Sequence, residues 1–134
     1  MTLRTYSLAS HPEARQRALW LIRDYPNIKA RLNALDGYGT GQGDGQPKAK
    51  EPRSPVENLA VRREVLIDQL RPVDLAFDEI PEEYRAGLWR ALTRRERLPD
   101  YAADITWKRQ RQKLVWFVAY YAGFIEAPAT MPKE

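Results

Sequence analysis

The chain has 134 residues, which suggests one domain or a domain with an appendage, and 43% of them are apolar, enough for a hydrophobic core. Cysteine is absent, which excludes a disulfide framework, a thiolate nucleophile and a zinc finger, and agrees with a reducing cytoplasm. The net charge of +4 favours a polyanionic partner.

Membrane insertion and secretion are not expected from the sequence. No apolar run approaches the length of about 18 residues that a membrane span requires. The first residues also lack the apolar core of a signal peptide. We therefore expect a cytoplasmic protein with no membrane partner.

Residues 1–36 are predicted to form an N-terminal helical hairpin. Ser10 and Glu13 have the capping-box spacing at the start of a helix that reaches about Asp24. Pro26 should end this helix, because proline lacks the amide proton and crowds the preceding turn. A second short helix is expected over residues 27–35.

Residues 37–53 are predicted to be a flexible linker. The segment contains five glycines and two prolines and almost nothing apolar, so it cannot bury enough surface to offset its chain entropy. We expect residues 38–52 to be mobile or solvent-exposed. The glycines lack the flanking strand and the Gly-Lys-Ser/Thr ending of a phosphate-binding loop.

Residues 54–126 are predicted to form a C-terminal helical domain, followed by a tail over residues 127–134. A long helix starts at Ser54, Pro72 should kink or break it, and a shorter helix should continue over residues 73–80. Pro81 then starts a helix whose apolar face carries Tyr84, Leu88 and Leu92. The chain breaks again over residues 97–100. No stretch alternates with a period of two, so the fold class is all-α.

The last helix, over residues 106–123, has two different faces. Asp104 or Thr106 can cap its start, and Gly123 can adopt the left-handed conformation that ends a helix. The apolar stripe consists of Trp107, Leu114, Phe117, Val118 and Tyr121. The opposite face carries Lys108, Arg109, Gln112 and Lys113, joined further along by Trp116 and Tyr120.

The basic face allows two interpretations. Residues 94–113 hold seven basic and three acidic side chains, whereas residues 57–83 are acid-rich. Arg, Lys and Gln on the first turns of a helix have the chemistry to meet phosphates and base edges in a DNA major groove. Alternatively, this is a core helix whose solvated face happens to be basic.

Enzymatic chemistry finds no support in the sequence. His11 is the only histidine, and it lies in a capping sequence with no nearby nucleophile. The carboxylate pairs Glu64 with Asp68 and Asp74 with Asp78 are expected to be a solvated acidic face, because no histidine accompanies them as a metal ligand. We therefore expect no catalytic residue, no metal and no cofactor.

Several motifs together resemble a family. In chain order they are Tyr25-Pro-Asn-Ile-Lys-Ala-Arg-Leu, Ser54-Pro-Val-Glu-Asn-Leu-Ala-Val-Arg-Arg-Glu, Ile80-Pro-Glu-Glu-Tyr-Arg and Thr106-Trp-Lys-Arg-Gln-Arg, with the ending at residues 119–123. Over residues 20–125 the chain resembles phage transcriptional regulators of the RinA and ArpU type. Those are small helical proteins with a C-terminal helix-turn-helix similar to region 4 of sigma-70 factors.

The resemblance implies a phage or prophage transcriptional regulator that binds double-stranded DNA in a bacterial cytoplasm. Residues 82–85 match the helix preceding the motif, and residues 106–113 match the start of the recognition helix. Residues 95–105 contain Pro99, so the first helix of the motif is expected to be short or absent. The DNA-facing residues would be Lys108, Arg109, Gln112 and Lys113, with Arg94, Arg95 and Arg97 on flanking phosphates. RNA polymerase as a second partner and a homo-oligomer stay open, and the rival function is a helical protein-interaction module.

Overall fold

The computed structural model describes residues 6–39 and 55–126, which form four helices: α1 (Pro12–Gly39), α2 (Pro55–Asp78), α3 (Glu82–Arg94) and α4 (Asp104–Tyr121). Neither range contains a strand, so the expected all-α class is confirmed. Among the helices of these ranges, none combines the length and apolar character that crossing a bilayer requires. The predicted tail (127–134) and most of the predicted linker (37–53) lie outside the described residues; residues 37–39 are the last residues of α1.

The break predicted at Pro26 is wrong, because α1 continues through this residue as one helix. A hairpin of two helices is therefore not formed by residues 12–39. Pro26 is exposed, so its ring lies on the solvent side, while Ile22 and Ile28 on either side of it are fully buried. Burial of this continuous stripe outweighs the preference of proline to end a helix, since tertiary packing supplies most helix stability.

The break predicted at Pro72 is also wrong, because Pro72 lies inside α2 and no separate helix forms over residues 73–80. Leu70, Val73 and Ala76 are buried around it, so the apolar face of α2 extends past the proline. A hydrogen bond also joins this part of α2 to α1, since Tyr25 Oη donates to Asp74 Oδ1 over 2.7 Å. Contacts to the neighbouring helix thus hold α2 together where local preference disfavours it.

The junction between α2 and α3 forms where the sequence predicts it. Pro81 stands immediately before α3 with an extended backbone, and Glu82 and Glu83 occupy the first turn, where the helix dipole favours negative charge. Arg85 closes the junction, because its Nε donates to the Ile80 carbonyl over 2.8 Å. This bond satisfies a carbonyl oxygen in the turn after α2 that the helix itself leaves without a partner.

The hydrophobic core receives side chains from all four helices and from Leu8. Six consecutive residues of α4, 114–119, are buried, so the second half of this helix is surrounded by protein on every side. The prediction that Trp116 shares the outward basic face is therefore wrong: its side chain packs edge-on against Phe117 and Tyr6. Tyr120 is half-buried beside it.

The sequence prediction is wrong at the start of α4 and is confirmed at its end. At its start the capping position is Ala103, without a side-chain cap, so neither Asp104 nor Thr106 caps the helix as expected. At its end Gly123 has φ = +81°, as predicted. The Phe124 amide donates to the Ala119 carbonyl over 2.8 Å and the Gly123 amide to the Tyr120 carbonyl over 3.1 Å, the hydrogen bonds of a Schellman motif.

Candidate nucleic-acid interface

The position of α4 relative to α3 is set by Trp107, which is only 1% exposed. Its Nε1 donates to the Pro99 carbonyl over 2.9 Å, and Tyr84 and Tyr101 contact its ring edge-on. The ring also lies so close to Gly87 that an added Cβ would stand 2.7 Å from Trp107 Cη2. These contacts fix the first turn of α4 on α3 and therefore fix the direction of its outward side chains.

No helix occurs between α3 and α4, over residues 95–103, as expected from Pro99. Arg95 ends α3 in the left-handed region, with φ = 59°. The connection is longer than the three or four residues of a compact helix-turn-helix. It folds back on α3 through Pro99 and Tyr101, whose hydroxyl donates to the Glu83 carbonyl.

The outward side of α4 carries the side chains that the sequence predicts there. Lys108, Arg109 and Gln112 are exposed, and Ile105, 53% exposed, extends their stripe by one turn. Their spacing of i, i+3, i+4 and i+7 places them on one side of the helix. Lys113 departs from the prediction of full exposure: it is half-buried, with its ammonium nitrogen 5.7 Å from the centre of the Tyr6 ring.

The three arginines predicted on flanking phosphates form a separate group. Arg94, Arg95 and Arg97 are exposed at the end of α3 and the start of the connection. Arg94 lies 4.0 Å from Glu96, so part of its charge is balanced locally. Within the described ranges, no hydrogen bond or ion pair links these arginines to Lys108 or Arg109. The structure therefore does not join the two predicted basic groups into one site.

The fold instead brings Lys108 and Gln112 together with residues that the sequence analysis did not select. A cleft of about 230 Å³ lies between α4, the start of α1 and the segment of residues 6–9. Arg15 of α1 and Arg111 of α4 line it together with Lys108 and Gln112. Arg111 could have been found from its spacing of three residues after Lys108. Arg15 could not, because only tertiary packing brings α1 to this side of α4.

Arg111 has an unusual electrostatic environment. Partial burial lowers the pKa of its guanidinium below the ordinary value, and repulsion from Arg15 and Arg23 lowers this pKa further. An arginine stays protonated under such conditions, so the repulsion acts on the folded protein. Within the part of the chain that the structure describes, none of these three arginines forms an ion pair.

The N-terminal segment is a fixed wall of this cleft. Leu8 is buried, and the Leu8 carbonyl accepts a hydrogen bond from the His11 amide over 2.9 Å. The ring of Tyr6 lies 5.3 Å from that of Trp116 and also from that of Phe117. The N-terminal wall of the cleft therefore packs against the buried aromatic half of α4, and this packing holds the wall in place.

Two of the four carboxylates in the predicted acidic pairs have structural partners elsewhere. Asp68 forms an ion pair with Arg71 over 3.0 Å, and Asp74 accepts the hydrogen bond from Tyr25. Asp104 stands four residues before Lys108, yet no ion pair joins them in the described chain. The start of α4 consequently keeps an excess of positive charge that Asp104 does not balance by an ion pair.

A second, larger cavity of about 630 Å³ lies between α1, α2 and the end of α4. It is lined by Trp20, Leu21, Pro72 and Phe124, with Arg17 stacked over the Phe124 ring at 4.1 Å. Trp20 is 62% exposed. Apolar side chains share this lining with Gln16, Asp68 and Gln69, and Arg17 is the one cation among the described residues that line it.

Comparison with known proteins returns nothing: no family model, no curated protein and no solved structure matches the chain.

Proposed function

We propose that this chain is a non-enzymatic DNA-binding protein, a transcriptional regulator of the phage or prophage type, which contacts duplex DNA through the first two turns of α4. The observation that carries the proposal is the unbalanced positive charge around the start of α4. Arg15, Lys108, Arg109 and Arg111 lie on or beside this surface, and no carboxylate forms an ion pair with them within the described chain. Cations of this kind supply the sequence-independent part of DNA affinity.

Only the beginning of α4 can take part in this contact. Residues 114–119 are buried in the core, so the exposed stripe of polar side chains is confined to the first half of the helix. Recognition helices commonly use their N-terminal residues to reach base edges. In this arrangement Arg109 and Gln112 can donate to guanine or adenine edges, and Ile105 can contact a thymine methyl group.

The direct test is a binding titration with a fluorescent duplex of about 30 base pairs over a series of salt concentrations. Replacing Lys108 and Arg109 together by Gln should reduce the slope of log affinity against log salt by about 1–2, because each phosphate contact that is lost lowers it by about 0.9. The matched control replaces Lys29 and Arg31, two exposed cations of α1, and should leave the slope unchanged. Equal effects of the two double substitutions would show that the basic face of α4 is not the binding surface.

The second candidate is a helical protein-interaction module that contacts RNA polymerase or another phage or host protein. It is favoured by the exposed apolar side chains Trp20, Val61 and Val65 on α1 and α2. Under this alternative the unmodified protein would not bind duplex DNA even at low salt. Replacement of Trp20 by Ala would then abolish partner binding and leave the stability nearly unchanged, because its ring is mostly solvated.

Sequence preference and stoichiometry would refine the proposal. An electrophoretic shift with phage-promoter DNA against random DNA measures whether bases are read at all. If Arg109 contacts a guanine edge, its replacement by Ala should relax the preference by about 1–3 kcal/mol. Dimeric regulators bind two half-sites about one helical turn apart, so the number of chains per duplex indicates whether a homo-oligomer forms.

A further inference from the structure

We propose that the cleft between α4, the start of α1 and residues 6–9 holds one phosphate group of the nucleic-acid backbone, with Arg15, Lys108 and Arg111 donating to its oxygens. The assignment of the phosphate to nucleic acid rests on the proposed function. The existence of an anion site does not, because it follows from the residues of the cleft.

Cations from two helices converge on this cleft. Arg15 comes from α1 and Arg111 from α4, ninety-six residues apart in the chain, and both line one open cleft with Lys108. A cleft of about 230 Å³ is larger than the volume of several water molecules, at roughly 30 Å³ each, so it accommodates a tetrahedral oxyanion. Two guanidinium groups match such an anion in geometry, because each can donate two parallel hydrogen bonds.

The remaining polar lining also donates. The Ser7 hydroxyl oxygen accepts a hydrogen bond from the Ala9 amide over 3.2 Å, which leaves its proton directed away from that bond. The side-chain amide of Gln112 supplies two more donors. Among the described residues that line the cleft, none is acidic, so its polar lining is suited to a ligand that accepts hydrogen bonds.

The charges around Arg111 also favour a bound anion. Arg111 is partly desolvated and faces two like charges, Arg15 and Arg23, without a carboxylate in ion-pair contact anywhere in the described chain. Repulsion of this kind lowers the stability of the folded protein, and an anion bound beside the guanidinium groups would offset it. Unfavourable local arrangements of this kind are typical of functional sites, where binding offsets them. A phosphate bound in the cleft would place negative charge beside Arg15 and Arg111 and offset their repulsion.

The test uses two substitutions, Arg15→Gln with Arg111→Gln, against the exposed control Arg31→Gln. Arg31 lies sixteen residues beyond Arg15 on the same helix, about 24 Å away at 1.5 Å per residue. The Arg15→Lys and Arg111→Lys pair keeps both charges and loses the guanidinium geometry. Circular dichroism checks that every variant retains its helices.

The first measurement is the melting temperature in inorganic phosphate and in chloride at equal ionic strength. Phosphate stabilises many proteins non-specifically, so the readout is the difference between variants. We expect phosphate to raise the melting temperature of the unmodified protein and of R31Q more than that of the double glutamine variant. In chloride the double variant should be at least as stable as the unmodified protein, because repulsion is relieved. Equal phosphate shifts in all variants would overturn the anion site.

The second measurement is the salt dependence of duplex DNA binding. The double glutamine variant should lose about 0.9 in slope if one phosphate occupies the cleft, and R31Q should lose nothing. The lysine pair should keep the slope and bind more weakly. An unchanged slope in the double glutamine variant, with DNA binding intact, would overturn the inference and leave the proposed function standing.

A failure of the proposed DNA-binding function can be distinguished from a failure of the anion site. If the unmodified protein binds no duplex DNA but shows the phosphate shift that the double variant lacks, the proposed function fails and the anion site survives without nucleic acid as its ligand. If polyglutamate binds as tightly as DNA and this binding is lost in the double variant, the cleft recognises acidic peptides, and the phosphate assignment is overturned.

Discussion

The two halves of α4 form one helix but differ in how far their side chains are exposed to solvent. The first half, residues 104–112, exposes a stripe of charged and amide side chains and is held to α3 mainly by Trp107. In the second half every residue from 114 to 119 is buried. Helical periodicity describes the first half well, because one side faces solvent. Helical periodicity does not describe the second half, because protein surrounds residues 114–119. Trp116 is therefore buried although its position predicts an outward side chain.

This comparison assigns stability to one half and binding to the other, and the sharpest way to break it is Phe117→Ala. The side chain is 3% exposed and contacts Tyr6, Trp116 and Tyr121. Truncation should cost about 3–5 kcal/mol of unfolding free energy, in the range for large aromatic cavities. Urea denaturation measures this loss. Arg109→Ala is the matched change in the exposed half and should cost less than about 0.5 kcal/mol. Equal losses would remove the distinction.

The attachment of the first half of α4 to α3 can be tested by Gly87→Ala. The new methyl group would meet the Trp107 ring, which its hydrogen bond to Pro99 and its two tyrosine neighbours hold in place. Overpacking of this kind typically costs about 1–3 kcal/mol. DNA affinity should fall as well, because the first turn of α4 loses its fixed position. A variant as stable as the unmodified protein would show that Trp107 can move freely.

A smaller effect is expected at the two left-handed residues that end α3 and α4. Gly123→Ala should destabilise by roughly 1–2 kcal/mol, because a Cβ is disfavoured at φ = +81°. Arg95 already has a Cβ at φ = 59°, so Arg95→Gly should be neutral or stabilising by up to about 1 kcal/mol. Thermal unfolding distinguishes the two signs. A stability loss in R95G would indicate that the Arg95 side chain makes a contact that contributes to folding.

The smallest effect concerns alkaline pH. Burial, reinforced by a hydrogen bond to Glu79, raises the pKa of Tyr121 from 10.0 to about 12. A raised pKa in the folded state means that the contribution of this group is complete below pH 10 and is lost as the pH rises towards 12. Tyr121→Phe should therefore reduce the fall in stability between pH 10 and 12. The same dependence in both proteins would assign the loss to other groups.

Sequence reasoning succeeded where local signals act alone. The start of α3, the break near Pro99, the left-handed Gly123 and the exposure of Lys108 follow from periodicity and backbone preference. It failed at Pro26 and Pro72, where burial against neighbouring helices outweighs the preference of proline.

The candidate site shows the same limit. Lys108 and Gln112 were found from the pattern of one helix, whereas Arg15 joins them only through packing of α1 on α4. Arg94, Arg95 and Arg97 were selected for their closeness in sequence, which does not translate into a hydrogen bond or ion pair with α4 in the described chain. A site shared between distant helices therefore has to be found in three dimensions.

The central claim, that the exposed half of α4 and its neighbours on α1 bind the backbone of DNA, is tested most directly by the salt dependence of duplex binding by the unmodified protein. One phosphate shared by Arg15, Lys108 and Arg111 in the cleft and one phosphate at Arg109 would make two contacts at about 0.9 each, so the slope of log affinity against log salt should be about −2. The absence of duplex binding at low salt, or a slope near zero, would contradict the account.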